Sequence, residues 1–139
     1  MKAGNPYAHA LVVLVGLTAL FATADRWPWN ATRVLGLVIM LPAFALWFAA
    51  RVQIGRSFSV RAQAKELVTH GLYSRIRHPV YLFGALGILG IILYAGRLEW
   101  LWVFAAVVPL QFFRIHKEEK LLSEKFGETY LEYKRKTWF

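Results

Sequence analysis

Two short polar clusters hold the residue types that could do chemistry in this chain. The first is Arg77-His78-Pro79, and the second is the adjacent acids Glu118 and Glu119. Proline costs little in the first turn of a helix, where its missing N–H would have no partner, so Pro79 predicts a helix that begins there. Arg77 and His78 would then lie at a helix N-terminus, which favours anions. Ordinary interfacial cations would show the same spacing.

The adjacent acids allow two interpretations. Neighbouring carboxylates on a helix point to different faces, so at most one of them faces a given pocket. A carboxylate turned into a helix bundle is unfavourable without a partner and is therefore a candidate functional group. The alternative is a solvated face on which Glu118 pairs with Arg114 and Glu119 pairs with Lys120.

Composition indicates that a bilayer is part of the solvent of this protein. Of 139 residues, 58% are hydrophobic and 18% are charged, which is far from the balance of a soluble domain. The net charge of +9 does not indicate nucleic acid, because a nucleic-acid-binding domain of this size would not carry several apolar runs of spanning length. Cysteine is absent, which excludes disulfides and thiolate metal ligands, and no metal centre is predicted.

Four apolar runs predict an all-α fold. They cover residues 7–24, 31–50, 80–94 and 98–113. The first is expected to be a retained anchor, since no clean cleavage site follows it. The last two are short for straight spans, which leaves open a re-entrant pair or helices that extend into the polar tail.

We therefore predict an integral membrane bundle of about four transmembrane helices and a cytoplasmic C-terminal amphipathic helix. Residues 1–139 would form one membrane domain. It would consist of an N-terminal hairpin over residues 1–50, a basic loop over residues 51–79, and a C-terminal hairpin with a cofactor-binding tail over residues 80–139. The tail from residue 114 shows helical periodicity, which Gly127 could interrupt.

Positive charge predicts the orientation of the helices. Thirteen of the seventeen Lys and Arg residues lie in the loop over residues 51–79 and in the tail after Phe113. Because basic segments stay on the cytoplasmic side, both termini are predicted to be cytoplasmic. The same basic face would contact anionic lipid.

This topology brings the two polar clusters together. If the third and fourth runs form a hairpin, His78 and the adjacent acids lie on the same side of the membrane. A pocket of mixed charge there, close to the lipid boundary, suits a zwitterionic or cationic cofactor beside a lipidic substrate. Its predicted aromatic neighbours are Tyr73, Tyr81, Phe112 and Phe113.

The stretch GLYSRIRHPVYLFGALGILG and the later EEKLLSEKFGETYLEYKRK resemble the membrane methyltransferases typified by isoprenylcysteine carboxyl methyltransferase and the phospholipid N-methyltransferases. In that family, Gly-x-Tyr-x-x-x-Arg-His-Pro-x-Tyr and Glu-Glu-x-x-Leu-x-x-x-Phe-Gly-x-x-Tyr-x-x-Tyr bracket a helical hairpin. The match covers about half of the chain. One difference is Phe83, which stands where many relatives have glycine.

The resemblance implies S-adenosylmethionine as cofactor and a lipid acceptor that enters from the bilayer. It implies that Arg77, His78 and Glu119 are catalytic and that Tyr130 and Tyr133 pack or cap the same lid. The implied cofactor-binding residues are Tyr73, Arg77, His78, Pro79, Tyr81, Glu118 and Glu119.

The sequence does not decide whether the methyl acceptor is a carboxylate or an amine. A carboxylate is nucleophilic at neutral pH and could be oriented by Arg75 or Arg77, with Arg114 as a further substrate-binding candidate. An ethanolamine headgroup must first lose a proton, for which His78 or a glutamate could be the base. The oligomeric state is also open.

Two other functions are consistent with parts of the sequence. A sterol reductase shares the Arg-His-Pro segment but uses a nicotinamide dinucleotide, and it usually has many more spans. A non-catalytic adaptor that binds anionic lipid explains the basic loop and tail, but it leaves the two clusters without a role.

Overall fold

The computed structural model describes residues 11, 14–16, 18–19, 22, 28–55 and 67–139. Every regular element in this part of the chain is helical, as the sequence predicts. The helices are α1 (Ala31–Ile54), α2 (Pro79–Ala95), α3 (Leu101–Phe126) and α4 (Glu128–Lys136), and short 3-10 turns at Gly71–Ser74 and Leu98–Trp100 precede α2 and α3. Most of the first predicted span, and residues 56–66 of the basic loop, lie outside the described residues.

Helix α1 corresponds to the second predicted span and continues to Ile54. Asn30 caps it, because its side-chain oxygen accepts a hydrogen bond of 2.9 Å from the backbone N–H of Arg33, one of the N–H groups that lack a partner in a first turn. The helix continues through Pro42. It ends at Gly55, whose φ of 48° favours glycine.

Helices α1 and α2 lie antiparallel in close contact. Gly36, near the start of α1, lies against Tyr94 near the end of α2, and Met40 lies against Gly90 one turn further along. A methyl group on Gly90 would lie only 2.8 Å from the Cα of Met40. Small residues allow helix backbones to approach this closely, which maximises van der Waals contact between helices in lipid.

Many apolar side chains of α1 and α3 point away from this contact. Val38 on α1 is 63% exposed, and Trp102 on α3 is 81% exposed. Both helices are long and apolar enough to cross a membrane; at about 1.5 Å per residue, the 24 residues of α1 extend about 36 Å. Water disfavours so much exposed apolar surface, so the bilayer is the solvent that this fold requires. The chain is an integral membrane protein.

Helix α3 continues from the apolar run into the polar tail without a break and ends at Phe126. Gly127, with a φ of 51°, turns the chain into α4. The interruption of the tail at this glycine is thus confirmed. It redirects α4 so that residues of the tail meet residues that precede α2.

The last residues of the chain lie across the N-terminal end of α2. Trp138 pairs with Ile76 in an isolated parallel bridge. The backbone N–H groups of Arg77 and His78 donate to the carbonyl oxygen of Phe139 at 2.7 and 3.0 Å. We refer to α4 and residues 137–139 together as the C-terminal cover.

Candidate functional site

The two polar clusters meet at one end of the helix pair α2 and α3. His78 immediately precedes α2, and Glu119 lies in the C-terminal part of α3. The Nε2 atom of His78 lies 3.3 Å from Oε1 of Glu119. The proximity that the sequence predicts from a hairpin of the third and fourth runs is therefore confirmed.

Glu119 is surrounded by cations. Lys134 of the C-terminal cover donates a hydrogen bond of 2.8 Å to its Oε2 atom. The Nη1 atom of Arg77 lies 3.4 Å from Oε1 of the same carboxylate, at ion-pair distance but outside hydrogen-bond geometry. These two cations largely balance the charge of Glu119, and His78 contacts the same carboxylate.

His78 itself is buried, with 5% of its surface exposed. Burial disfavours the imidazolium and lowers the pKa of His78, and the contact with Glu119 opposes this effect without overcoming it. The Arg77 and Lys134 charges nearby lower the pKa further. His78 is therefore neutral near pH 7.

Glu118 has a different environment from its neighbour. It is half-buried, and the hydroxyl of Tyr81 lies near its carboxylate. Among the residues that the structure describes, no Lys, Arg or His forms an ion pair with Glu118. The carboxylate of Glu118 therefore has no balancing cation from the described chain.

Several polar groups in the same region are buried without a hydrogen-bond partner among the described residues. They are the hydroxyls of Tyr73 and Tyr130 and the Nε atom of Arg77. Burial raises the pKa of both tyrosines, and the charge of Glu118 raises that of Tyr73 further. Such groups usually indicate a missing ligand or water, because an unpaired buried donor is unfavourable.

A hydrogen bond joins the C-terminal cover to the turn that precedes α2. The hydroxyl of Tyr133 donates to the backbone carbonyl of Tyr73 at 2.7 Å. Burial raises the pKa of Tyr133 to about 12, so the hydroxyl remains a donor at neutral pH. The opposite side of the Tyr73 turn is held by Gln53 of α1, whose side-chain oxygen accepts 2.7 Å from the N–H of Leu72.

Aromatic rings close one side of the site. The ring of Phe139 packs edge-on against His78 at 6.3 Å and against Phe112 at 6.0 Å. The ring of Tyr81 also packs against His78, with 6.0 Å between the ring centres. These rings limit access of water to the imidazole.

Sequence reasoning missed two residues at the site, Arg51 and Lys134. Arg51 is buried in the last turn of α1, 5.8 Å from the ring centre of Trp47, and its charge acts on Tyr73. The available signal was a cation in the last turn of a predicted span. Lys134 was hidden among the solvated basic residues of the tail.

Three predicted site residues have contrasting positions. Pro79 is fully buried in the first turn of α2. Arg75 and Arg114 are exposed, so neither is enclosed by the residues around His78 and Glu119. Across the described ranges, no group of three or more His, Asp or Glu side chains is arranged to hold a metal ion.

Comparison with known proteins adds sequence relatives. The model of the phospholipid methyltransferase family matches residues 31–129, more than half of the chain. Protein-S-isoprenylcysteine O-methyltransferase of Schizosaccharomyces pombe is 36% identical over 95 residues, which cover 63% of this chain and 40% of that protein. Nickel-cobalt-cadmium resistance protein NccN of Alcaligenes xylosoxydans xylosoxydans is 33% identical over 138 residues, covering 91% of this chain and 59% of that protein.

A solved structure shares the fold. The eukaryotic intramembrane Ras methyltransferase, isoprenylcysteine carboxyl methyltransferase, superposes with a TM-score of 0.70 at 21% identity, over 99% of this chain and 52% of that one. The chain thus spans about half the length of the relatives it matches. The family match and the paired motifs lead to the same conclusion: the chain belongs to the phospholipid methyltransferase family of membrane methyltransferases.

Proposed function

We propose that this protein transfers a methyl group from S-adenosylmethionine to a lipidic acceptor at the cytoplasmic side of a membrane. The observation that carries the proposal is the environment of Glu118. A half-buried carboxylate without a cation from the described chain stands beside buried hydroxyl groups that have no partner there. This arrangement favours a ligand that is positively charged and rich in polar groups.

The unpartnered groups fit the proposed cofactor. Glu118 would bind its positive charge, and the Nε atom of Arg77 would bind its carboxylate. The hydroxyls of Tyr73 and Tyr130 would hydrogen-bond its remaining polar atoms. When bound, S-adenosylmethionine supplies a methyl group that is already activated by the sulfonium centre.

The protein then needs mainly to position the reactants and exclude water. Phe112 and Phe139 would limit water at His78. Glu119 would hold the imidazole and fasten the C-terminal cover through Lys134.

His78 is the candidate base for an acceptor that must lose a proton. If its Nε2–H donates to Glu119, the lone pair of Nδ1 remains free to accept a proton. Its lowered pKa keeps this lone pair available at neutral pH. A carboxylate acceptor would need no base, and Arg75 or Arg114 at the exposed edge of the site would orient it.

The same proposal includes the membrane arrangement. Four spans in two hairpins would place both termini in the cytoplasm, with residues 1–139 as one membrane domain. Arg135 and Lys136 lie in the last turn of α4 and would face anionic lipid headgroups on that side. The cofactor would reach the site from the cytoplasm.

The decisive experiment is incubation of the purified protein with methyl-labelled S-adenosylmethionine and total lipid of the host, followed by identification of the labelled species. We expect label in a lipid fraction and thermal stabilisation by S-adenosylhomocysteine, because a ligand that binds the folded state raises its stability. Stabilisation by a nicotinamide dinucleotide instead would favour a reductase. Stabilisation by neither ligand would favour a lipid-binding adaptor.

A further inference from the structure

Helix α3 carries one polar side chain inside its apolar stretch. Between Leu101 and Phe113, every residue except Gln111 is apolar. Gln111 is half-buried, whereas its neighbours Leu110 and Phe112 are exposed. A carboxamide in hydrocarbon is unfavourable unless its donor and acceptor groups find partners.

Gln111 lies on the face of α3 that leads to the candidate site. Residues of reduced exposure recur along the helix at spacings of three or four, the pattern of a single helix face. They include Val107, Gln111, Ile115, Glu118 and Leu122. At about 1.5 Å per residue, Gln111 lies about 10 Å from Glu118 along the helix axis, in the direction of the bilayer.

The described structure offers this carboxamide no partner. No hydrogen bond to the Gln111 side chain occurs among the described residues. The facing helix α2 is apolar throughout residues 82–93, so its side chains cannot supply one. Ile115 is the sole buried residue of α3, so most of the surface of this helix, including the neighbours of Gln111, is open to acyl chains of the bilayer.

We propose that Gln111 binds the carbonyl linkage of the acceptor lipid while the headgroup reaches Glu118 and His78. This inference rests on the proposed function. The amide N–H groups of Gln111 would donate to an ester oxygen at the boundary between headgroup and acyl chains. With the reacting atom at the level of Glu118, such an oxygen would lie about 10 Å from it along the helix axis.

This spacing selects a class of acceptor. At roughly 1.2 Å of reach per covalent bond, about nine bonds must separate the reacting atom from the carbonyl. A diacyl lipid with an extended headgroup meets this requirement. A lipid whose carbonyl lies within three or four bonds of its reacting atom cannot reach both groups.

The test compares dioleoylphosphatidylethanolamine with its dialkyl ether counterpart, which lacks the two carbonyl groups. Binding to the full chain in detergent is measured by native mass spectrometry for the wild type and Gln111→Leu. The matched control is the double variant Leu110→Gln/Gln111→Leu, which has the same composition as the wild type but carries the amide on the exposed face. Calorimetric binding of S-adenosylhomocysteine is measured for each protein.

We expect the wild type to bind the ester lipid about tenfold more tightly than the ether lipid, and both variants to bind the two lipids equally. All three proteins should bind S-adenosylhomocysteine alike. Equal or absent binding of the two lipids by the wild type, or an ester preference that survives in Gln111→Leu, would overturn the inference. Failure of the wild type to bind S-adenosylhomocysteine would instead count against the proposed function.

Discussion

Lys134 of α4 and Glu119 of α3 form an ion pair of 2.8 Å. This ion pair joins the C-terminal cover to the helix that carries the adjacent acids. The same carboxylate contacts His78 at the start of α2. Glu119 therefore connects three segments of the chain, and its charge is used within the protein. Glu118, one residue earlier, points to another face and has no such cation among the described residues.

Loss of Lys134 should loosen the C-terminal cover. We expect Lys134→Met to lower stability by about 1 kcal/mol or less, because the lysine is partly exposed and solvent screens the pair. The clearer measurement is limited proteolysis after Gly127, which should become faster. Lys136→Met, at an exposed position of the same helix, is the control and should be cleaved at the wild-type rate.

Neutralising each of the adjacent acids, Glu118 and Glu119, should affect a different property of the protein. Glu118→Gln should weaken S-adenosylhomocysteine binding at least tenfold in calorimetric titration, since it removes the carboxylate that no described cation balances. Glu119→Gln should mainly lower thermal stability, because it leaves Arg77, His78 and Lys134 without their shared anion. Equal loss of affinity in both variants would contradict this division of roles.

The burial of His78 predicts a pH dependence of stability. Because its pKa in the folded protein is lowered, the unfolded chain takes up a proton at higher pH than the folded chain does. The associated stability is present above the usual pKa of about 6.5 and is lost as the pH falls through the folded pKa.

Thermal unfolding between about pH 7.5 and about pH 5.5 tests this effect. The melting temperature of the wild type should fall on acidification more steeply than that of His78→Gln. Arg77, Lys134 and Glu119 face the imidazole and are present in both proteins, so the difference between the two slopes reports on His78. Parallel slopes would show that its burial does not control the acid response.

The contact between α1 and α2 should tolerate no added atom at Gly90. In Gly90→Ala the new methyl group would lie 2.8 Å from the backbone of Met40, and we expect a loss of about 1–3 kcal/mol. Gly84→Ala is the matched control, since its methyl group meets Trp47 at an ordinary 3.5 Å. Both changes gain the same helix propensity, so a lower melting temperature for Gly90→Ala alone reports on packing.

Much of the site could be predicted from local sequence pattern. Pro79 fixes the start of α2, and the apolar runs fix the length of the hairpin, so the proximity of His78 and Glu119 follows from helix geometry. The continuation of α3 to Phe126 and its end at Gly127 follow from periodicity and from the conformational freedom of glycine.

The remaining features depend on contacts between distant segments. The solvated-face alternative paired Glu119 with Lys120, but the ion pair forms with Lys134, which Gly127 brings back from fifteen residues away. The contact of α1 with α2 depends on glycine positions. Gly87 and Gly90 are its signal, but their spacing alone does not identify the facing helix.

The position of Lys134 bears on how a water-soluble reactant and a lipid reactant would each reach the candidate site. Of the described side chains that contact Glu119 in ion pairs or hydrogen bonds, Lys134 alone belongs to the C-terminal cover, whereas Arg77 and His78 precede α2. If the cover lifts, this ion pair breaks while the other two contacts stay in place. A water-soluble ligand would then bind and dissociate from the aqueous side, whereas a lipid would enter from the bilayer along α3. Exchange of one reactant would not require release of the other.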